Sequence, residues 1–432
     1  MKKIALVSHG CAKNLVDSEL ILGLLAQSGY EITLNEDESD IVIVNTCSFI
    51  CDAERESIHS ILELVEEGKK VIVTGCLAQK HPEDLKKEIP ELAAVIGTTD
   101  FTKIVEVIKK VDNEYVCEVN KNPEYIYPEN IERQQITMGA SSYIKIADGC
   151  NYRCGYCIIP YLRGDYRSRP IENIIEEAKK LVKKGVTEII LIAQDTTSYG
   201  IDIYKKPSLP KLLEELNKIE GLGWLRFMYA YPTHLDEELI DAIAKLDKVV
   251  KYVDIPLQHS HPEMLKMMNR PAFDYRPMIE NIRKRIPDVS IRTAFIVGYP
   301  GETEEHFEHL CEFVRDMKFD RMGVFKYSRE KGTPSYNMPN RVPAKIANQR
   351  YKKLMEIQQE ISIERNKKFV GKLIPCIIEC CSDEGEVIAR TQFDAPEIDG
   401  VVNIQTDKIV IPGDIEMVKI IGSTEYDLIG EI

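Results

Sequence analysis

No apolar run in the sequence reaches the roughly 20 residues that a bilayer-spanning helix needs, so the pattern gives no reason to expect one. The opening stretch MKKIALVSHG has an apolar segment too short for a secretory signal and reads as a β-strand, which makes the cytoplasm the expected compartment. A basic excess is missing too. Lys and Arg number 56 against 70 Asp and Glu, a net charge of −14 with a pI near 5.3. Broad nucleic-acid binders usually present a basic face, so that class is disfavoured, while a local basic patch stays compatible with the count. Internal repeats and low-complexity tracts are absent. Cysteine, by contrast, is plentiful, with 12 residues. A reducing compartment keeps thiols free, so clustered cysteines point to metal or redox chemistry rather than to disulfides.

A chain of 432 residues is too long for one ordinary core and should divide into two or three domains. In residues 1–118, KIALVSHGC, DIVIVNTC and KKVIVTGC read as buried parallel strands. The segments VDSELILGLLAQSGY, DAERESIHSILELVEEG and HPEDLKKEI read as helices, and together these predict an open doubly wound sheet. Residues 119–142 lack periodicity and contain two prolines, the mark of a linker. From 143 a strand-helix pattern occurs six times, in YIKIADGC, EIILIAQD, LRFMYAYP, YVDIPLQH, IRTAFIVGYP and MGVFKYS. It predicts a partial (β/α)6 barrel with its chemistry at the carboxyl ends of the strands, and a connector helix completes the segment to 367. Residues 368–432 alternate over short strands with Gly, Asp and Pro turns, the pattern of a small all-β barrel. The fold class expected is therefore α/β multidomain, ending in an all-β domain.

The stretch GCNYRCGYC places Cys150, Cys154 and Cys157 directly after the first barrel strand, on a loop whose Gly149 and Gly155 allow close wrapping around a compact object. A closed structural zinc site would need a fourth Cys or His, and the following IIPYLRGDYRSR supplies none. Three thiolates suit a four-iron, four-sulfur cluster with one iron left open. Cys11, Cys47 and Cys76 are distant in sequence, yet each follows an apolar strand. Strand ends in a parallel sheet share one edge, so these thiols can converge as a second cluster site, or they can be small buried residues.

Cys150 to Cys157, with Tyr156 as the aromatic, resembles the Cys-x3-Cys-x-aromatic-Cys signature of the radical S-adenosylmethionine (SAM) superfamily. That resemblance implies that SAM fills the fourth place on the cluster and is cleaved there to a 5′-deoxyadenosyl radical. It also implies SAM contacts at Gln194 and Asp195 after the second strand, and at Arg292 and Gly298 in RTAFIVGYPGE. Ala294 departs from the pattern in that last segment, and Gly298, Pro300 and Gly301 can equally form a plain turn. GCAKNLVDSE, NTCSFI and TGCLAQ resemble the three cysteine motifs of the methylthiotransferase family. Its members join an auxiliary-cluster domain, a radical SAM domain and a TRAM domain with an OB-like barrel. The resemblance thus implies two [4Fe-4S] clusters, the auxiliary one carrying the sulfur for insertion into a C–H bond. Lys13, Asn14, Gln258 and His259 become candidate substrate contacts. Arg163, Arg167 and Arg169 could hold carboxylates or phosphates, or lie solvated at the surface. Cys51 reads as structural, and Cys117, Cys311, Cys376, Cys380 and Cys381 as packing residues.

One branch of that family modifies adenosine in transfer RNA; the other, the RimO type, modifies an aspartate of ribosomal small-subunit protein twelve. Between 369 and 432 four basic residues face thirteen acidic ones, a surface that repels phosphates and attracts a basic protein. CAKN at Cys11 to Asn14 and FDAPEIDG at Phe393 to Gly400 also look like the RimO type. Methylthiolation of that aspartate's β-carbon is the expected activity, with the electron donor and sulfur source unspecified. The alternatives are the transfer-RNA reaction and a non-catalytic iron–sulfur or zinc regulator.

Overall fold

The computed structural model describes residues 2–123, 127, 131–136, 139–381 and 386–432. Parts of the expected linker (124–126, 128–130 and 137–138), and Asp383 and Glu384 of the acidic count, lie outside those residues. Two compact units are present. The first comprises Met1–Met138, Ala147–Arg167 and Ser328–Tyr336; the second comprises Gly139–Ile146, Ser168–Tyr327 and Asn337–Ile432. The cysteine loop that the sequence attaches to the barrel segment is thus a part of the first unit.

The first unit is built on six strands: β1 (Lys3–Ser8), β2 (Glu31–Ile32), β3 (Ile41–Thr46), β4 (Val71–Gly75), β5 (Ala94–Ile96) and β6 (Val116–Glu118). Their order is β2-β1-β3-β4-β5-β6 and every pairing is parallel. Strands β3 and β4 are buried along their whole length, as parallel strands covered on both faces must be, and so read as unbroken apolar runs. Helix α1 (Ala12–Gln27) follows β1, α2 (Cys51–Glu66) follows β3, and the short α3 (Cys76–Lys80) follows β4. Ile61 and Leu64 of α2 pack with Val42, Val44, Val71 and Val73 in one core. Full burial of a side chain such as Ile61 contributes about 1.5–3 kcal/mol. After β1 the chain turns to β2 on one side and to β3 on the other, so the order of the sheet reverses between β1 and β3. That reversal opens a crevice at the carboxyl ends of these strands.

The second unit contains the six barrel strands, β7 (Ser141–Lys145), β8 (Glu188–Ile192), β9 (Trp224–Phe227), β10 (Tyr252–Asp254), β11 (Ser290–Val297) and β12 (Arg321–Lys326). They form two parallel three-stranded sheets, β7-β8-β9 and β10-β11-β12, with a parallel bridge at Leu225 and Val249 between them. Helix α5 (Glu304–Met317) lies between β11 and β12 in the chain, and the long α6 (Ala344–Lys367) follows β12. The last segment forms a closed barrel from β13 (Leu373–Cys381), β14 (Val387–Thr391), β15 (Val402–Gln405), β16 (Ile415–Ser423) and β17 (Leu428–Glu431), in the order β13-β14-β15-β17-β16. β17 closes it by pairing parallel to β15 and antiparallel to β16.

This small barrel is fastened beneath the amino ends of β8 to β12 by buried charge. Arg226 of β9 donates to Glu188 at the start of β8 (2.8 Å), and Arg390 of β14 donates to the same carboxylate. Arg321 at the start of β12 meets Asp394 (2.6 Å), and Arg292 near the start of β11 meets Asp399 (3.3 Å) and Asp254 (3.2 Å). The Tyr252 hydroxyl donates to Asp399 (2.7 Å), and Ser290 donates to the Phe393 carbonyl (2.9 Å). FDAPEIDG is therefore a docking loop. Its acids Asp394 and Asp399 face the barrel and not an outside partner.

Candidate functional site

Cys11, Cys47 and Cys76 sit just past the carboxyl ends of β1, β3 and β4, three neighbours in the sheet, so the crevice gathers them. Cys11 is the N-cap of α1, exposed at the helix end. Gly10, with φ of +96°, turns the chain so tightly that a Cβ there would lie 2.8 Å from Cys47 Cβ and 3.0 Å from its Sγ. Asn14 fixes this turn: its Nδ2 donates to the carbonyls of His9 (3.0 Å) and Thr46 (3.0 Å). Asn45 Nδ2 holds α1 in turn through the Asn14 carbonyl (2.9 Å) and Ser18 Oγ (2.8 Å). The Ser57 hydroxyl of α2 accepts the Cys47 N–H (3.0 Å) and donates to the Cys47 carbonyl (3.1 Å). Gly75, with φ of +93°, leads into Cys76, and a Cβ there would strike Asn45 Oδ1 at 2.4 Å. Two glycines and three polar side chains thus hold three strand ends at one crevice.

The thiols influence one another. Burial pushes Cys76 up to about 12, with the charge of Arg163 opposing and those of Cys47 and Cys11 adding. Cys47 is raised chiefly by burial and further by Cys11. Cys11 keeps a solvent-facing side, and although the crevice walls around it act to raise its thiol, Lys13, Arg163 and the N–H groups of Asn14 and Lys13 outweigh them and hold it below its ordinary value. Three thiols in mutual electrostatic reach, with a cation beside them, form a donor set that a multi-iron cluster satisfies by taking all three as thiolates.

The second trio belongs to the same unit. Cys154 is buried, while Cys150 and Cys157 are partly exposed on their loop. Gly149, with φ of +76°, lies so close to Asp165 that a Cβ would meet its carbonyl at 2.1 Å. Cys150 N–H donates to the Gly164 carbonyl (3.1 Å), Cys157 N–H to the Cys154 carbonyl (3.0 Å), and Ser335 N–H to the Gly155 carbonyl (2.9 Å). Arg153 bonds the Cys150 carbonyl (2.8 Å) and Asp165 (2.9 Å). The loop runs into α4 (Ile159–Arg163), and Ile158 and Leu162 pack against Cys76. Tyr156 is half-buried beside Cys157.

In the second unit, Gln194 and Asp195 follow β8, Gln258 and His259 follow β10, and Gly298 follows β11, all toward the carboxyl side. Asp195 is buried and anchors a turn, its Oδ1 accepting the Thr197 N–H (2.9 Å) and hydroxyl (2.6 Å). His259 is fully buried; its Nδ1 accepts the Ser260 and His261 N–H groups (3.0 Å each), and its Nε2 faces Glu302 (3.3 Å). Glu302 also accepts the Gly298 N–H (2.6 Å) and Arg350 of α6 (2.6 Å). His259 therefore supports the Gly298 loop from behind. Arg292 departs from its expected place: six residues before Gly298 at about 3.3 Å per residue puts it roughly 20 Å away along β11, at the amino end with Asp254 and Asp399. Asn14, expected at the substrate, is enclosed by the backbone it braces, whereas Lys13 lies beside Cys11. Arg163 and Arg169 are buried in internal networks, Arg169 with Glu177 (2.6 Å) and the Lys145 carbonyl (2.8 Å). Arg167 donates to the carbonyls of Asp165 (2.7 Å) and Arg163 (2.8 Å).

Cys51 is exposed, with its thiol against Glu330 (3.3 Å), which also binds Lys80 (3.0 Å). Cys311 and Cys376 are buried as expected of packing residues, but Cys117, Cys380 and Cys381 are exposed. A bulge between Ile378 and Cys380 breaks the strand alternation, so that of the three cysteines in this strand Cys376 faces inward. His261, Glu263 and His306 bring possible ligand atoms within 4.8 Å of one another. Nδ1 of His261 accepts the Glu263 N–H (3.3 Å) and Nδ1 of His306 accepts the Thr303 N–H (3.2 Å), which leaves the ring protons on Nε2 and makes this a helix-capping group.

Comparison with known proteins matches 144–314 to the radical SAM superfamily, 3–97 to the uncharacterized protein family UPF0004, and 370–432 to the TRAM domain. The ribosomal protein uS12 methylthiotransferase RimO of Thermoanaerobacter sp. (strain X514) is 49% identical over 438 residues, covering 100% of both chains. The protein of the same name from Crocosphaera subtropica is 49% identical over 99% of this chain and 98% of its own. The chain belongs to the RimO family. Among solved structures, the radical SAM methyltransferase TsrM of Kitasatospora setae aligns with a TM-score of 0.57 at 15% identity, covering 78% of this chain and 77% of that one, a likeness of fold. RimO membership makes the chain a radical SAM enzyme, and the superfamily implies SAM and a [4Fe-4S] cluster. No helix among the described residues is long and apolar enough to cross a membrane.

Proposed function

We propose that the protein methylthiolates the β-carbon of an aspartate in ribosomal protein uS12, the protein named in its full-length relatives. The observation that carries the reading is the meeting of two thiol triads in one compact unit, one at the sheet's switch point and one on the loop stitched against it. Cys150, Cys154 and Cys157 would hold the cluster that binds SAM, and Cys11, Cys47 and Cys76 a second cluster. Bound there, the cofactors supply a carbon-centred radical and a sulfur donor.

The chain's own residues orient and shield. Gly149 and Gly155 let the loop close on its guest, and the half-buried Tyr156 would flank it. Gln194, Asp195 and Gly298 at the carboxyl edge are assigned to SAM, Asp195 by shaping its turn. Lys13 and Gln258 are assigned to the substrate, with Lys13 offering a cation for a carboxylate beside Cys11. Exposed acids on the small barrel, among them Glu386, Glu397, Asp407, Asp414 and Glu431, complement a basic ribosomal protein, and a cytoplasmic setting fits this substrate.

Mass spectrometry of uS12 and of bulk transfer RNA from cells with and without the gene decides the substrate. Loss of the methylthio group from uS12 is expected; loss from transfer RNA alone overturns the reading. In the purified protein, Cys154→Ala should abolish deoxyadenosine formation from SAM while the iron held by the first triad remains. Continued cleavage would remove Cys154 from the assignment.

A further inference from the structure

One side chain connects the two cysteine elements. Arg163, the last residue of α4, is 2% exposed. Its Nη2 donates to Asn14 Oδ1 (2.8 Å) and its Nη1 to Asp17 Oδ2 (3.0 Å), both on the helix that Cys11 caps. Nη1 also donates to Asp148 Oδ2 (3.1 Å), two positions ahead of Cys150. The helix that carries it packs Ile158 and Leu162 against Cys76. The backbone around it is pinned as well: Thr98 Oγ1 donates to the Leu162 carbonyl (2.7 Å), and the Gly164 carbonyl accepts the Cys150 N–H (3.1 Å). A buried cation thus touches the Cys11 helix and the root of the radical loop at once, from a helix that packs against Cys76. A planar fork with fixed donor directions can do this; a lysine, a point charge on a flexible stem, cannot.

We propose that Arg163 is a positioning residue that locks the Cys150 loop to the Cys11 helix, so that one guanidinium sets both the spacing of the two triads and the positive field at the first. This rests on reading both triads as cluster ligands. The sequence marks Arg163 only as one of three arginines able to hold a carboxylate or phosphate or to lie solvated, and nothing in YLRGD distinguishes it from Arg167 and Arg169 as the link between the triads. A fixed cation beside a cluster favours its reduced, more negative form, so removing the cation lowers the cluster's potential.

The test uses full-length protein, purified anaerobically and reconstituted with iron and sulfide, as parent, Arg163→Lys and Arg163→Met. Redox titration reads the potential of the first cluster, and electron paramagnetic resonance reads the dipolar splitting between the two reduced clusters. Arg163→Met should lower the potential and alter the splitting. Deoxyadenosine formation should persist while methylthiolated product per deoxyadenosine falls on the order of tenfold to a hundredfold, the cost of ångström-scale misplacement. Arg163→Lys should restore the potential but neither the splitting nor the yield. Unchanged potential and splitting in Arg163→Met overturn the proposal, as does an equal fall in cleavage and product. If Arg163→Met does not fold, Asp17→Leu keeps the branched side-chain shape and removes one acceptor of the guanidinium, and an unchanged splitting there overturns it equally. A parent holding a single cluster overturns the underlying reading and this proposal with it; two clusters with unchanged variants overturn the proposal alone.

Discussion

Glu188 shows what a buried charge does in this chain. It has no exposed surface and accepts from both Arg226 and Arg390. Burial raises its carboxyl, but the two guanidinium groups outweigh that and bring it from an ordinary 4.5 to about 2. Since the folded value is depressed, the resulting stability is present above the ordinary value and is lost as pH falls toward about 2. Its size is on the order of 3 kcal/mol. Glu188→Gln leaves two buried cations short of a partner and should cost about 3–5 kcal/mol at neutral pH. Urea midpoints should show the gap between parent and variant wide at neutral pH and narrower near pH 3, within the window just described. In the sequence Glu188 opens EIILIAQD as an ordinary polar residue before a strand, because its partners lie 38 and 202 positions away. Arg292 was misplaced for the same reason. A motif gives the strand, whereas the end of the strand that a side chain serves depends on Asp254 and Asp399, which only the fold brings near.

At the scale of elements, the long and strongly patterned pieces were legible. The six barrel strands, the connector helix and the three strands that precede cysteines all stand where apolar runs and turn residues put them. β5 and β6, with three residues each, are too short to show a period, and β17 lies in a stretch, LIGE, whose place comes from pairing with β15 and β16. The loop Phe393 to Gly400 was legible only as a resemblance. Its chemistry is that of a plug: Asp394 meets Arg321 and Asp399 meets Arg292 at the amino ends of the barrel strands. Asp394→Asn should weaken that docking by about 3 kcal/mol or more, by leaving Arg321 buried with less charge opposite it. Hydrogen exchange should then rise at the starts of β11 and β12 before it rises in the core of the small barrel; uniform protection would contradict the plug.

For the molecule as a whole, composition and charge selected the class of chemistry, but charge alone overstated the face offered to a partner. Asp394 and Asp399 count as acidic in the sequence and are consumed inside. The remaining exposed acids are screened by salt, so the apparent kcat/KM on uS12 should fall several-fold between about 50 and 200 mM salt, while SAM cleavage without substrate changes little. A salt-independent rate would remove the small barrel's charge from recognition. The sequence also separated the two cysteine sets into different domains, since their spacing along the chain carries no sign of their union. Contact between α4 and Cys76 is what unites them.

The stitching of the Cys150 loop into the first sheet limits how this chain can be cut or recombined. A fragment starting at the first barrel strand would carry the signature cysteines yet leave behind the floor on which they rest. Exchange of the first sheet for a relative's would succeed only if the donor brought its own matching Asn and Asp along with its thiols. Modular as the three sequence segments look, the two sulfur-bearing parts must be inherited together.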